Sequence, residues 1–159
     1  MAIIKTALTR LLGIQHPILL APMGSAAGGR LAAAVTNAGG LGLVGSGYAD
    51  ADAVRRELTE AGNTRVGIGF ILWALEKNPS ALDVALDAKP AAVMLSFGDP
   101  TPFTGRIRDA GCKIICQVQT LAGQRSGGGR CRCDHRPGAG CWRPLGDDAR
   151  HNGARPGSG

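Results

Sequence analysis

The chain has 159 residues, 44% of them apolar but only 4% aromatic, and it carries a formal charge of +6. Residues 124–159 hold +4 of that charge and the first 123 only +2, so the basic balance belongs to the tail and does not argue for a nucleic-acid partner. The early apolar run at residues 18–21 is hemmed in by Arg10, Gln15, His16 and Pro17, too short for a secretory leader or a membrane span; a cytoplasmic location with no membrane partner is expected.

In chain order, short apolar runs bounded by Gly or Pro predict strands at 18–21, 42–44, 66–70, 92–95 and 113–118. Between them, apolar residues three and four apart among Ala, Leu, Glu, Asp and Arg predict helices at 29–38, 51–61, 80–88 and 103–110. Strands joined by crossover helices run parallel and bury both faces. A doubly wound open sheet and a (β/α)8 barrel both satisfy that rule. The near-constant spacing of about 25 residues per unit is close to what an eight-unit barrel of about 250 residues requires, which favours the barrel. The expected fold is therefore α/β, an incomplete (β/α)8 TIM barrel of about five β/α units. Cys112 and Cys116 lie in its last apolar run, where small thiols are buried rather than paired into disulfides.

The composition changes at Gln124. From there to Gly159 the chain has seven Arg, three Asp, nine Gly, no Lys and one aliphatic side chain larger than Ala, Leu145. Such a segment has almost nothing to bury, and residues 124–159 are expected to be a disordered, non-native tail behind a barrel part at 1–123. Cys131, Cys133, Asp134, His135 and Cys141 could suggest zinc, but Cys131 and Cys133 are separated by one residue, tighter than structural zinc pairs. No metal site is assigned.

Gly40, Gly42 and Gly45 spell a dinucleotide-binding glycine string, yet they stand between a helix and the strand that follows it, the reverse of the order that brings a pyrophosphate to a helix N-terminus. Gly39 and Gly40 are better suited to ending the helix. Ala21, Pro22, Met23 and Gly24 close the first strand; on the catalytic face of a barrel, a loop of such residues brings backbone amides close to a flat ligand, and it also serves as an ordinary βα turn. Residues 70–73 and 96–100 close the third and fourth strands. Gln117 and Gln119 share one face of the fifth, where a ligand, a water or a loop carbonyl would satisfy them. His16, ahead of the first strand, suits packing or capping better than catalysis.

The strings LGIQHPILLAPMG (12–24), LAAAVTNAGGLGLVGSG (31–47), VGIGFILW (66–73), AVMLSFGDPTPF (92–103) and CKIICQVQT (112–120) resemble, in order, the nitronate monooxygenases, formerly called 2-nitropropane dioxygenases. The resemblance implies an FMN-dependent barrel that oxidises an alkyl nitronate with O2 to a carbonyl compound and nitrite; some relatives are enoyl reductases of fatty-acid synthesis. It implies that Pro22, Met23 and Gly24 line the flavin through backbone contacts, that Gly69 and Phe70 lie in the third-strand flavin loop, and that Gln117 reaches the flavin from the fifth strand. Its partners would be a small nitronate or nitroalkane and O2.

The family next expects a string close to GADVIVAQGxEAGGH, whose final histidine is the catalytic base. The chain lacks it, so no catalytic residue is assigned. A one-base shift of the codons permitted by residues 129–145 nevertheless allows AGADVITAQGRDAGGH, with the histidine spelled by Pro144 and Leu145. Each shifted codon permits only a few amino acids, so the agreement points to a one-base insertion or deletion near residues 121–128. The expected function is thus a truncated, inactive form of an FMN-dependent nitronate monooxygenase-like enzyme. The alternatives are an enoyl reductase of the same fold and a non-catalytic chain whose tail binds zinc or nucleic acid.

Overall fold

The computed structural model describes residues 4–117. Val118, Gln119 and the whole of the tail, with its expected disorder and its cysteines and histidines, lie outside the described residues.

Thr6 starts the first helix, α1 (Ala7–Leu12), by a reciprocal cap: its hydroxyl accepts the Thr9 N–H at 3.1 Å and its own N–H donates to Thr9 Oγ1 at 2.8 Å. Sequence reasoning gives no helix here, because the usual signature has Glu or Gln at that third position. The chain then runs through α2 (Gly29–Asn37), β1 (Leu43–Gly45), α3 (Ala51–Glu60), β2 (Gly67–Ile71), α4 (Leu72–Leu75), α5 (Ser80–Asp87), β3 (Ala92–Ser96), α6 (Thr101–Asp109) and β4 (Lys113–Cys116). The short helix α4 replaces an expected strand end: residues 72–75 are apolar, and periodicity does not separate a short strand from one buried helical turn.

The four strands are parallel and lie in sequence order, β1-β2-β3-β4. The expected first strand, 18–21, is reduced to one parallel bridge between Leu19 and Leu41, flanked by Leu20 N–H to Leu41 O and Leu41 N–H to Ile18 O, both 3.0 Å. Pro17 and Pro22 bracket this segment and have no N–H to extend a ladder. A doubly wound sheet reverses its strand order at a switch point. None occurs from Leu19 through β4, and the sheet is an arc of a (β/α)8 barrel.

Helix α2 ends as the glycines dictate. Gly39, at φ +94°, donates to Thr36 O at 2.9 Å and Gly40 to Val35 O at 3.1 Å, the paired bonds of a Schellman closure. The glycine string is therefore a helix stop followed by a strand. His16 donates its N–H to Gly39 O at 2.9 Å, which places this histidine at the N-terminal end of the sheet.

Side chains alternate across each strand, and the two faces differ. On one, Val44, Ile68, Phe70, Val93, Leu95 and Ile114 are buried against residues from α2 to α6, among them Ala32, Val54, Leu75, Leu82, Phe103 and Ile107. On the other, Leu41, Leu43, Ala92, Met94 and Ile115 form a smaller cluster, covered by Leu12, Ile14 and Leu19. The helices that alternate with strands thus share one side, which is the outer layer of a barrel. Burial of each large aliphatic or Phe side chain there contributes about 1.5–3 kcal/mol. Among the described residues, no helix is long and apolar enough to cross a membrane.

Candidate functional site

Because the four described strands are parallel, their C-terminal ends form one rim, the face on which barrel enzymes bear their sites. The glycines of the inner face shape that rim. Gly45 and Gly69 are register partners on neighbouring strands. A Cβ on Gly69 would overlap the Pro22 ring, and one on Gly45 would stand 2.7 Å from Gly24 N and closer still to the Met23 carbonyl. The Pro22–Met23–Gly24 segment therefore lies directly on the sheet, in a space that exists because two adjacent residues lack side chains.

Hydrogen bonds hold the segment there. The Met23 carbonyl accepts N–H groups of Ala27 at 2.7 Å and Ala26 at 3.2 Å, closing a turn with Ser25 at φ +61°. Ala27 O accepts the Gly45 N–H at 2.8 Å and so ties the turn to β1. Ser46 N–H donates to Gly69 O at 3.1 Å, and the buried Ser96 hydroxyl donates to Phe70 O at 3.0 Å, joining β1 to β2 and β2 to β3 at the rim. Met23 and Gly24 remain exposed on the resulting shelf.

Of the six expected flavin residues, the structure brings four together: Pro22 on Gly69, and Met23 with Gly24 beside them on Gly45. Phe70 does not join them. Its side chain is 1% exposed and pairs in register with Leu95 on the helix-covered face, because it follows Gly69 in a strand rather than lying in a loop. Gly69 likewise lies within β2. Gln117 is exposed beyond β4, its N–H donating to Leu95 O at 2.9 Å; alternation puts it on the inner face, two residues after Ile115.

Sequence reasoning missed the role of Gly45 and an apolar rim. Met23, Tyr48, Trp73 and Phe97 are all exposed, and each follows a different strand position. The signal was the scarcity of aromatics: of the five within 4–117, Phe70 and Phe103 are buried, and all three exposed ones stand on this rim.

The helix N-termini on this face already hold carboxylates. Gly29 N–H donates to Glu57 Oε2 at 2.9 Å; Asp50 Oδ1 accepts Asp52 N–H at 2.9 Å and Ala53 N–H at 3.3 Å. Asp99 Oδ1 accepts the Thr101 hydroxyl at 2.6 Å and N–H at 3.0 Å, and these bonds lower the Asp99 pKa. A phosphate at α2, α3 or α6 would meet a carboxylate instead of free N–H groups.

The sequence profile of the nitronate monooxygenase family matches residues 5–107. The chain belongs to that family. It is 30% identical to a nitronate monooxygenase of Paraburkholderia phytofirmans, over 74% of this chain and 43% of that protein. It is 52% identical over 121 residues to a (3aS,4S,5R,7aS)-5-hydroxy-7a-methyl-1-oxo-octahydro-1H-indene-4-carboxyl-CoA dehydrogenase of Rhodococcus jostii, over 74% of this chain and 34% of that protein. Its structure superposes on FabK from Thermotoga maritima with a TM-score of 0.69 and 34% identity, covering 77% of this chain and 40% of that one. The chain thus spans less than half the length of these relatives. The family is one of oxidoreductases on a TIM-barrel fold.

Proposed function

We propose that residues 4–117 are the first five β/α units of an FMN-dependent oxidoreductase and form the floor under the flavin ring. One observation carries this reading: the Pro22–Met23–Gly24 segment laid flat on Gly45 and Gly69 at the rim, a shelf of backbone with no bulky side chain beneath it. FMN, when bound, would supply the electron acceptor. The shelf fits a planar ring and does not fit a phosphate, since the helix N-termini of α2, α3 and α6 already hold carboxylates. The phosphate contacts and the histidine base belong to later units. We assign those units to the reading frame that residues 129–145 encode when shifted by one base. The aligned shares of the chain, 74% and 77%, are close to the share that precedes Gln124 and support this reading. The chain itself, located in the cytoplasm, is then inactive and binds FMN weakly or not at all.

In the restored enzyme the histidine would take a proton from a neutral nitroalkane carbon, leaving the nitronate to be oxidised with release of nitrite. The higher identity, 52%, favours a second reading, dehydrogenation of a hydroxylated bicyclic acyl-CoA. An enoyl reductase of this fold would in addition need a nicotinamide donor. The test is to restore the frame by the compensating base change and load the protein with FMN. Nitrite release from an alkyl nitronate supports the first reading. Anaerobic bleaching of the flavin by the hydroxylated indanone carboxyl-CoA thioester, without nitrite release from nitronate, supports the second. A restored protein that purifies colourless and takes up no FMN overturns both.

A further inference from the structure

We infer that Tyr48, Trp73 and Phe97, with Met23 and Lys77, form a recognition rim that selects ring-bearing carboxylic substrates over open-chain ones. The inference rests on the oxidoreductase reading and departs from its open-chain nitronate: the class it names is a ring with a neighbouring anionic group. The exposed rings share one place in the fold. Tyr48 follows β1, Trp73 follows β2, Phe97 follows β3 and Met23 follows the Leu19 bridge, so these side chains are 73%, 44%, 48% and 52% exposed around the same C-terminal rim as the Pro22–Gly24 shelf. Apolar surface left in water is unfavourable, and here it recurs at all four of these rim positions.

The Tyr48 and Trp73 rings lie 5.7 Å apart at 45°, a tilted pair that is itself exposed to solvent and with which a third apolar ring could pack. Phe97 is joined to the same cluster through the backbone: a Cβ on Gly98 would stand 2.7 Å from Leu72 Cβ, so the loop after β3 is pressed against α4, which bears Trp73. Phe97 itself sits at φ +58°, a region that bulky residues rarely occupy, between the bonded Ser96 and this contact. Strain of this kind persists where the surroundings impose it, and here it keeps a large apolar side chain at the rim.

Charge fixes the other end of the ligand. Lys77 Nζ stands 5.6 Å from the Trp73 ring centroid, so the cation is held at the border of the aromatic surface. A ligand with a saturated or aromatic ring and a neighbouring anionic group meets both. An open chain of equal carbon count would meet the cation but cover less of the ring surface, and would lose more rotational freedom on binding.

The test uses the full chain with Trp142→Phe, which leaves Trp73 as the only tryptophan. Its fluorescence is titrated, without flavin, with indane-1-carboxylate, with the neutral indane-1-carboxamide and with decanoate as the open-chain carboxylate of equal carbon number. Saturable quenching by the indane carboxylate, about fivefold to tenfold tighter than by decanoate, is expected. Tyr48→Ala and Phe97→Leu should each bring that ratio toward one. Lys77→Gln should weaken the carboxylate about threefold and leave the carboxamide unchanged. A loss of fold alone would lower all three affinities together and would not move the ratios. Absence of saturable quenching, equal affinity for ring and chain, or a ratio unchanged in both Tyr48→Ala and Phe97→Leu would overturn the proposal. Because no flavin is present, a restored enzyme that binds FMN while the rim shows no ring preference leaves the oxidoreductase reading intact.

Discussion

The two faces of one sheet perform different tasks, and the contrast is written in alternate residues. Along β2, Ile68 and Phe70 fill the space under the helices, while Gly67 and Gly69 leave the other side bare. The first pair stabilises the arc. The second makes room: Gly69 receives the Pro22 ring, and its partner Gly45 receives the Met23–Gly24 backbone. A strand that carried large side chains on both faces would gain core and lose the shelf. The lesson is that stability and site geometry share this strand without sharing residues, so they can be broken separately.

The largest expected effect is on the packed face. Phe70→Ala should cost about 3–5 kcal/mol of unfolding free energy, measured as a fall in the urea midpoint, because the ring is fully enclosed and its removal leaves a cavity. A small effect on stability with a large effect on FMN uptake by the frame-restored protein would instead put the ring at the site. On the bare face, Gly69→Ala should cost about 1–3 kcal/mol, since a Cβ there overlaps Pro22 and the segment must shift. In the frame-restored protein the same change should reduce FMN retention through a dialysis step. If retention is unaffected, the shelf is not the flavin floor.

Glu57 tests the join between helices in the outer layer. Glu57→Ala leaves the buried Gly29 N–H without its acceptor and should destabilise by about 1–3 kcal/mol, whereas Glu57→Gln keeps an oxygen in reach and should cost less. Equal losses in the two variants would show that the charge, rather than the acceptor, matters.

The smallest effects are set by pH. Burial raises the Cys112 pKa above its usual 9.0, with Arg65 opposing. The folded state thus favours the neutral thiol, so stability is full below pH 9.0 and falls as pH rises toward the raised value. Cys112→Ala should flatten that alkaline decline in thermal unfolding scans. At the acid end, bonds from Thr101 hold the Asp99 pKa below 3.8. That contribution is present above pH 3.8 and is lost as pH falls through the depressed value; Asp99→Asn should remove the dependence.

The order of strands and helices was legible because the punctuation is strong: Gly39–Gly40 stop one helix, and Gly or Pro bounds the short apolar runs. Helix α1 was not, since its cap is Thr with Thr. The shelf was half legible. Pro22, Met23 and Gly24 stood out as a loop, but that Gly45 lies beneath them depends on a contact between residues about twenty apart in sequence, which no local pattern encodes.

By itself the sequence determined the parallel β/α order and the positions of the four described strands, through apolar runs and their Gly and Pro boundaries. Only the tertiary structure decided which side of each strand faces the helices. In an amphipathic antiparallel strand, polarity would label the outer face, but a parallel sheet in this layer buries both faces in apolar residues, and alternation alone does not say which is which. Phe70 and Gly69 are neighbours in the chain with equal claims to the site. The register with β1 and β3, and the Pro22 segment folded onto the glycine side, sent one to the core and the other to the shelf.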